Sequence, residues 1–344
     1  MPLNRITSPH VHNAQSTGAI MRLVLLATLP GIGAMTLAFG WGTIINIFWC
    51  CLFGLSLEAL VLLLRKRPVT FYLGDCSALV TAFLLGIALP PYSPWWVIFT
   101  GMLFAIVIAK HMYGGMGYNP FNPAMVGYVV LLISFPVEMT RWTAPIELLP
   151  PGAAPGLLDA LQFSMVAMAT DHWDGITMAT PLDILRQNNS LMISDLEFAN
   201  AQFGRVGGLG WEWANIAFLL GGLFLLWRRV YTWHAPVSML VSLAIMSALF
   251  YDGGSSNSGG SPLFHLFTGA TMLGAWFIVT DPVSSAVSNR GRIIYGACIG
   301  VLVYVIRSWG TFPDAVAFGV LLMNLAAPLI DHYTQPVTYG HQKP

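Results

Sequence analysis

The chain has 344 residues, of which 56% are hydrophobic and only 9% are charged, and its formal net charge is zero. Soluble globular domains carry about 25% charged residues, so this composition excludes an ordinary soluble domain and indicates an integral membrane protein. Because the chain has no basic excess, we expect the lipid membrane and no nucleic acid among its partners. The polar segment 1–16 contains Pro2 and Pro9 and lacks the apolar core of a cleavable signal peptide.

Ten apolar runs follow one another along the chain. They are continuously apolar, whereas the strands of a membrane β-barrel would alternate, so we predict an all-α membrane protein of about ten transmembrane helices. Several runs are shorter than the roughly 20 residues that cross a bilayer as a straight helix. The runs lie near residues 19–39, 41–64, 75–90, 95–110, 121–136, 211–227, 233–251, 264–281, 292–307 and 312–330.

The basic residues predict the orientation of these spans. With a cytoplasmic N-terminus, most of the 15 Lys and Arg residues fall on the inner side, including the run Arg65-Lys66-Arg67 and Lys110. Positive charge concentrates on the cytoplasmic side of membrane proteins. Both termini are therefore expected in the cytoplasm, with the long loop 137–210 on the periplasmic side. The exceptions are Arg141, Arg186, Arg205 and Arg307.

The ten spans divide into two sets of five, and a set of five inverts its orientation when it is repeated. Residues 82–90 resemble 275–282, and the fifth span resembles the tenth. Gly/Pro-interrupted segments at matching positions indicate an inverted repeat whose discontinuous helices surround a cleft. Alternatively, these prolines end ordinary helices. The predicted units are a first membrane half, 1–136, a periplasmic loop, 137–210, a second membrane half, 211–331, and a cytoplasmic tail, 332–344.

The polar loop contains a candidate modification site at Thr180. Its hydroxyl can form a phosphoester, and Pro181 biases the preceding residue toward an extended backbone. The Thr180 side chain should therefore project from the chain and be reachable by a modifying enzyme. Thr177 lies three positions before Thr180 and Asp174 lies six positions before it, with the small residue Ala179 adjacent.

The segment from Asp174 through Thr177 and Ala179 to Thr180 resembles the flavinylation motif. In that motif an acidic residue precedes Ser/Thr-x-Ala-Thr, and FMN is joined through its phosphate to the last threonine. Together with the segments 119–124, 267–271 and 281–282, it makes the whole chain similar to the D-subunit family of Rnf electron-transport complexes.

This resemblance implies a covalent FMN on Thr180, with Asp174, Thr177 and Ala179 completing the motif, and a non-covalent riboflavin within the membrane part. It also implies a complex in the bacterial inner membrane that relays electrons between ferredoxin and NAD and moves Na⁺ or H⁺. The implied partners are a periplasmic flavin subunit, the cytoplasmic NADH- and ferredoxin-side subunits and a flavin transferase. The chain is not expected to be active alone.

Two alternatives stay open. The B-type membrane component of the sodium-pumping NADH:quinone oxidoreductase shares the ten-helix architecture but usually carries a longer N-terminal extension, which favours the Rnf family. A urea-transporter-like channel would share the inverted repeat without redox chemistry. The second copy of the motif, Thr268 to Thr271, has His265 in place of the leading carboxylate and lies in an apolar span. We interpret it as a close-packing element.

Other chemistry-bearing residues are few. The four cysteines lack Cys-x-x-Cys spacing, the histidines form no metal-ligand pattern, and no phosphate-binding loop is present. We therefore expect neither ATP nor NADH to bind this chain directly. Glu58 is the one carboxylate well inside a predicted span, and an intramembrane carboxylate is a candidate for an ion pathway. A helix–helix hydrogen bond is the equal alternative. Asp75, Asp281 and Asp314 lie near span ends.

Overall fold

The computed structural model describes residues 16–166, 175–188, 190–256, 258–310, 312 and 315–334. These residues are mostly helical and contain no strand, only the isolated bridges Thr143–Thr177 and Phe203–Gly208. The prediction of an all-α fold is confirmed for this part of the chain. Asp174 and Asp314 lie outside the described residues, as does the tail after 334.

The first membrane part begins where Ser16 accepts a hydrogen bond from the Ala19 amide and caps the first helix. Asn122 caps the last helix of this part in the same way, with Pro123 in its first turn, where a missing N–H has no cost. The helices are α1 (Thr17–Phe39), α2 (Gly42–Leu64), α3 (Val69–Leu73), α4 (Ser77–Ala88), α5 (Trp95–Met102), which continues as a π-helical stretch over Leu103–His111, and α6 (Pro123–Ser134).

The predicted loop between the membrane parts contains short helices. They are α7 (Pro136–Thr140), a 3-10 turn at Ile146–Leu148, α8 (Leu157–Met165), α9 (Pro181–Gln187) and α10 (Ile193–Ala199). Hydropathy gave no signal for them because each is too short to form an apolar run of its own.

In the second membrane part, two apolar helices that are shorter than α1 and α2 precede a broken segment. Its helices are α11 (Trp211–Trp227), α12 (His234–Leu249), α13 (Pro262–Phe267), α14 (Thr271–Leu273), which continues as a π-helical stretch over Gly274–Ile278, α15 (Asn289–Trp309) and α16 (Val316–Thr334). The predicted span 264–281 is therefore discontinuous, since the chain leaves the helix at Thr268–Ala270 and Gly269 adopts a φ of 63°.

Four helices, α1, α2, α15 and α16, are long and apolar enough to cross a membrane. Shorter apolar helices of 10–17 residues accompany them: α4, α5 with its π-helical extension, α6, α11 and α12. These segments coincide with the predicted apolar runs, so the structure supports a multi-pass membrane protein. The full count of ten spans stays a prediction.

Small residues let the long helices approach closely. A Cβ added at Gly221 of α11 would collide with the carbonyl oxygen of Ala27 in α1. A Cβ at Gly300 of α15 would collide with the carbonyl oxygen of Met239 in α12. Helix association in lipid depends on such close packing because apolar side chains gain little there from leaving the lipid. The two contacts join α1 to α11 and α12 to α15.

Candidate functional site

Thr180 lies at the start of α9, where its backbone is extended with φ −72° and ψ 155°. This is the conformation that the following proline predicts. The residue is half-buried, and its hydroxyl donates to Asp183 Oδ2 over 2.7 Å while Oγ1 accepts from the Asp183 amide over 3.2 Å. Thr180 is thus the N-cap of α9. Asp183 escaped the sequence analysis, although Thr-x-x-Asp has the spacing of a capping box.

The segment before Thr180 is tied to the chain that follows α7. Thr177 forms an antiparallel bridge with Thr143, the Ala144 amide donates to the Ile176 carbonyl over 2.9 Å, and the Met178 amide donates to the Trp142 carbonyl over 3.0 Å. Ala179 is exposed. These bonds hold the backbone of residues 176–178 against the chain that follows α7.

The start of α9 contacts the broken segment of the second membrane part. A Cβ at Gly208 would lie 2.6 Å from Pro181 Cγ, and one at Gly269 would lie 2.8 Å from Leu182 Cδ1. Glycine at both positions therefore lets Pro181 approach the backbone at Gly208 and lets Leu182 approach the backbone at Gly269. The structure brings the predicted modification site to the break between α13 and α14, a proximity that sequence alone did not reveal.

Asn215 of α11 holds this break together. Its Nδ2 donates to the carbonyls of Trp211, Phe267 and Gly269 over 2.9, 3.2 and 2.9 Å, and its Oδ1 accepts from the Met272 amide over 3.0 Å. Backbone groups freed by a helix break must find partners in an apolar environment. Asn215 supplies partners for the carbonyls of Phe267 and Gly269 and for the Met272 amide.

The second motif copy is part of the same break. Thr271 has no exposed surface, and its hydroxyl donates to the carbonyls of His265 and Thr268 over 2.7 and 3.0 Å. A modifying enzyme has no access to this hydroxyl in the structure. The interpretation of Thr268 to Thr271 as a packing element agrees with this burial.

A polar cavity of about 540 Å³ lies beside the break and beneath α9. Leu182 and Leu185 of α9 line one wall, and His265 and Tyr304 line another. His265 Nε2 lies 2.6 Å from the Gly259 carbonyl oxygen, whereas its buried Nδ1 has no hydrogen-bond partner among the described residues. We call this space the outer cavity.

A larger cavity of about 830 Å³ lies between the two membrane parts, next to the first turns of α1 and α12. Its lining is mainly apolar and includes Trp276 and His234, with Asp281 and Arg292 at the edge. Within the described part of the chain, Trp276 Nε1 and His234 Nδ1 are buried and have no hydrogen-bond partner. We call this space the inner cavity.

Glu58 forms a buried ion pair. Lys110 Nζ lies 2.8 Å from both carboxylate oxygens of Glu58 and donates to Ser77 Oγ over 2.8 Å. His111 Nε2 lies 3.2 Å from Glu58 Oε2. The sequence places Lys110 among the charges at the inner face, but its side chain is only 3% exposed. Glu58 of α2 therefore contacts the neighbouring π-helical stretch through an ion pair with Lys110.

The remaining candidate ligands are dispersed. Cys50 is fully buried, whereas Cys51, Cys76 and Cys298 are half-buried, and all four thiols are free. The described residues contain no group of three or more His, Cys, Asp or Glu side chains that could hold a metal ion. Asp281 lies at the inner cavity and accepts a hydrogen bond from Ser284.

Comparison with known proteins places the whole chain in one family. The chain is 58% identical over 347 residues to the D subunit of the ion-translocating oxidoreductase complex of Cellvibrio japonicus, covering 100% of this chain and 97% of the relative. The same-named protein of Pseudomonas aeruginosa strain UCBPP-PA14 is 58% identical over 344 residues, with coverages of 100% and 97%. That of Aliivibrio salmonicida is 52% identical over 347 residues, with 98% of each chain covered.

A family model described as NQR2, RnfD, RnfE family matches residues 5–340. The match spans both membrane parts, the segment with Thr180 and both cavities. The chain therefore belongs to the NQR2, RnfD, RnfE family.

Proposed function

We propose that this chain is the covalently flavinylated membrane subunit of an Rnf-type ion-translocating oxidoreductase complex in the bacterial inner membrane. The names of its relatives support a role as one component of such a complex. The observation that carries the flavin assignment is the position of Thr180. Its half-buried hydroxyl is held by Asp183 at the start of α9, and Leu182 and Leu185 of the same helix line the outer cavity.

Attachment of FMN from FAD is a phosphoryl transfer to Thr180. The Thr180 oxygen forms a bond to the phosphorus on the FMN side, the bond from that phosphorus to the AMP phosphate breaks, and the hydroxyl proton leaves. A hydroxyl needs a base or a metal ion to react in this way, and the flavin transferase supplies these groups. Asp183 is a positioning residue, because its carboxylate fixes the direction of the hydroxyl hydrogen. Asp174, Thr177 and Ala179 serve recognition by the transferase.

The outer cavity is the place for the attached flavin. It has the size of small-molecule sites, and its lining combines Leu182 and Leu185 of α9 with His265, Tyr304, Arg186 and Arg307. When bound, a flavin supplies one- and two-electron chemistry, and the protein tunes and orients it. Gly269 lets Leu182 pack closely against the break, since a Cβ there would lie 2.8 Å from Leu182 Cδ1.

The inner cavity suits the non-covalent riboflavin. Its volume of about 830 Å³ and its apolar lining match a flat ring system. Trp276 Nε1 and His234 Nδ1 are the polar groups that would orient such a ring, and they have no other partner within the described chain. A site on each side of the broken segment would let the two flavins lie on opposite faces of the membrane.

The architecture we propose is a 5+5 inverted repeat, with 1–136 and 211–331 as the two halves, 137–210 as a periplasmic loop and 332–344 as a cytoplasmic tail. In each half the third segment is broken, between α3 and α4 and between α13 and α14. Each half also contains one π-helical stretch. Irregular backbone within membrane segments surrounds the substrate pathway of many transporters.

Energy for ion movement comes from electron transfer between ferredoxin and NAD through the partner subunits. Moving one cation against a potential of ~150 mV requires about 3.5 kcal/mol. The chain carries no nucleotide-binding motif that would supply this free energy from ATP. The complex therefore couples redox chemistry to Na⁺ or H⁺ translocation, with the periplasmic flavin subunit and the cytoplasmic NADH- and ferredoxin-side subunits as electron partners.

The alternative within the redox class is a B-type membrane component of the sodium-pumping NADH:quinone oxidoreductase, since the family description includes NQR2. The names of the most similar relatives favour the Rnf type. Quinone reduction by the purified complex distinguishes the two. A non-redox, urea-transporter-like channel would carry no flavin.

Intact-mass measurement tests this proposal. The full-length chain is expressed with and without the flavin transferase, and we expect an FMN-sized mass increment only with the transferase. Peptide mapping should place the increment on Thr180. If the chain from native membranes carries no flavin, the assignment of this chain as the flavin-carrying subunit is wrong.

A further inference from the structure

Helix α8 in the loop between the membrane parts exposes three large apolar side chains. Leu157 is 50% exposed, Leu158 is 74% exposed and Met165 is 54% exposed. Met165 lies seven residues after Leu158 and eight after Leu157, spacings that place residues on one face of a helix. We call these three residues the apolar face of α8. The exposed Asp159 and Gln162 belong to its polar side. A contiguous exposed apolar surface indicates a contact outside the chain.

The opposite side of α8 is fixed against the first membrane part. Trp49 Nε1 of α2 donates to Ser164 Oγ over 3.0 Å. The ring of Phe163 packs edge-on against Tyr92, with 6.0 Å between the ring centroids. Ser164 and Phe163 therefore face the protein. Leu158 lies on the other side of the helix, because it is five and six residues away from them at 100° per residue.

The contacts of α8 lie a short way down α2 from its first residue, Gly42. Trp49 is seven residues after Gly42, and Ile45, which packs in one cluster with Ala160 of α8, is three residues after it. At 1.5 Å per residue these positions are about 10 and 5 Å along the axis. The exposed Trp41 precedes α2, and tryptophan is enriched at membrane–water interfaces. Interfacial helices bury their apolar face about 5–10 Å deep, which is the depth of α8.

The apolar face of α8 lies on the same flank as an exposed stripe of α2. Asn46 Nδ2 donates to the Pro90 carbonyl over 2.7 Å, so that side of α2 faces the turn against which α8 packs. Phe48 and Leu52 point away from this turn and are exposed. Since α2 is long and apolar enough to cross a membrane, lipid is the expected neighbour of this stripe. The apolar face of α8 continues it.

We propose that α8 is an interfacial helix whose apolar face lies among the acyl chains of the lipid bilayer. The contact is with acyl chains and not with anionic headgroups, because α8 carries no Lys or Arg. The same helix holds the segment before Thr180, since Ile176 packs in one cluster with Ala160 and Ile45. Anchoring of α8 therefore fixes the Thr180 segment at the membrane surface. The consequence for flavin attachment rests on the function proposed above, whereas the lipid contact does not.

The test uses the full-length chain with one cysteine that carries an environment-sensitive fluorophore, in a background without the native cysteines. The protein is reconstituted in phosphatidylcholine vesicles that contain a lipid with a nitroxide on an upper acyl carbon. Leu158→Cys and Met165→Cys should lose fluorescence to the nitroxide lipid as Phe48→Cys does, which is the control at similar depth on α2. Gln162→Cys on the polar side should be quenched by aqueous iodide instead.

The same measurement on the purified complex separates lipid from a protein partner. Nitroxide quenching at Leu158 both in the chain alone and in the complex supports the proposal. A Leu158 probe that responds like the Gln162 probe overturns it. Loss of the quenching in the complex also overturns it, because a partner subunit then covers the face.

Photolabelling gives the answer without any substitution, should the cysteine-free background not fold. The native complex is irradiated with a phosphatidylcholine that carries a diazirine on its acyl chain, and the label is mapped by peptide mass spectrometry. Label on residues 157–165 supports the lipid contact. Label on the exposed stripe of α2 without any on α8 overturns it.

A charge on the apolar face tests the consequence for Thr180. Leu158→Glu should lower the fraction of the chain that carries covalent flavin, because a carboxylate is expelled from the acyl chains. Gln162→Glu is the matched control and should leave this fraction unchanged. Equal fractions in the two variants would overturn the anchoring of the Thr180 segment. Absence of covalent flavin from the unsubstituted chain would instead reject the proposed function and leave the lipid contact standing.

Discussion

The hydroxyl of Thr180 and the carboxylate of Asp183 form a reciprocal pair at the first turn of α9. The hydroxyl donates to Oδ2 over 2.7 Å, and Oγ1 accepts from the Asp183 amide over 3.2 Å. A phosphoester at Thr180 cannot donate this hydrogen bond and places negative charge next to the carboxylate. If FMN is attached to Thr180 as we propose, the two side chains therefore separate.

Thr180→Val should abolish covalent flavin attachment, because it removes the only atom that can carry the phosphoester and nearly preserves the side-chain shape. The variant is co-expressed with the flavin transferase, denatured by acid, and examined for flavin fluorescence in the gel. Thr271→Val is the matched control and should retain the fluorescence, since the Thr271 hydroxyl is fully buried. Covalent fluorescence that persists in Thr180→Val and maps to another residue would show that the site is wrong.

Asp183→Ala should slow flavin attachment without preventing it. A hydrogen bond to a charged group contributes roughly 1.5 kcal/mol or more, so losing the orientation of the hydroxyl should lower the rate about tenfold. The time course of in-gel fluorescence with purified transferase measures this rate. Asp195→Ala, which removes an exposed carboxylate from α10, should leave the rate unchanged. If flavin attaches at the same rate to Asp183→Ala and to Asp195→Ala, the Asp183 carboxylate does not position the hydroxyl for the transfer. Its hydrogen bond then serves only the first turn of α9.

The predicted orientation can be tested with single cysteines in a background without the four native ones. Gln187 at the end of α9 and Lys66 after α2 are both exposed. Gln187→Cys should react with a membrane-impermeant thiol reagent in intact cells, whereas Lys66→Cys should react only after the cells are lysed. Labelling of Lys66→Cys alone in intact cells would reverse the orientation and the side of the flavin.

Asn215→Ala should destabilise the second membrane part. Asn215 makes three hydrogen bonds to backbone groups around the break between α13 and α14, and a fourth to the Trp211 carbonyl of its own helix. Each buried polar group left unsatisfied costs about 1–3 kcal/mol, so we expect a loss of at least about 2 kcal/mol, measured by denaturation in mixed micelles. Asn200→Ala, which removes one bond of 2.9 Å to the Leu196 carbonyl, should cost about 1 kcal/mol or less. Equal losses would contradict the role of Asn215.

Gly221→Ala should force α1 and α11 apart, because the added methyl group collides with the Ala27 carbonyl oxygen. Overpacking of this kind costs typically about 1–3 kcal/mol. Gly33→Ala in α1 is the control: apart from its chain neighbours and the backbone of its own helix, no atom of the described chain lies within 4 Å of the added Cβ, and alanine favours a helix by about 1 kcal/mol over glycine. Thermal unfolding in detergent should therefore shift down for Gly221→Ala and stay level or rise for Gly33→Ala.

The membrane class, the positions of the helices and the local shape of the Thr180 segment followed from sequence alone. An apolar run is a property of consecutive residues. The first and last residues of α1, α2 and α11 therefore lie close to the bounds of the predicted apolar runs. The extended backbone at Thr180 is a local consequence of Pro181. Each of these features depends on residues that lie within one helix or one turn of each other.

Contacts between distant segments were decided only by the tertiary structure. Lys110 is at the end of an apolar run, where a lysine ordinarily extends to the interface, and only the approach of α2 with Glu58 buries it. Asn215 meets Gly269 across 54 residues of chain. Such contacts depend on how whole helices pack, and local patterns carry no information about that packing. The sequence therefore determined which segments form apolar helices, whereas the fold decided which of their polar groups meet.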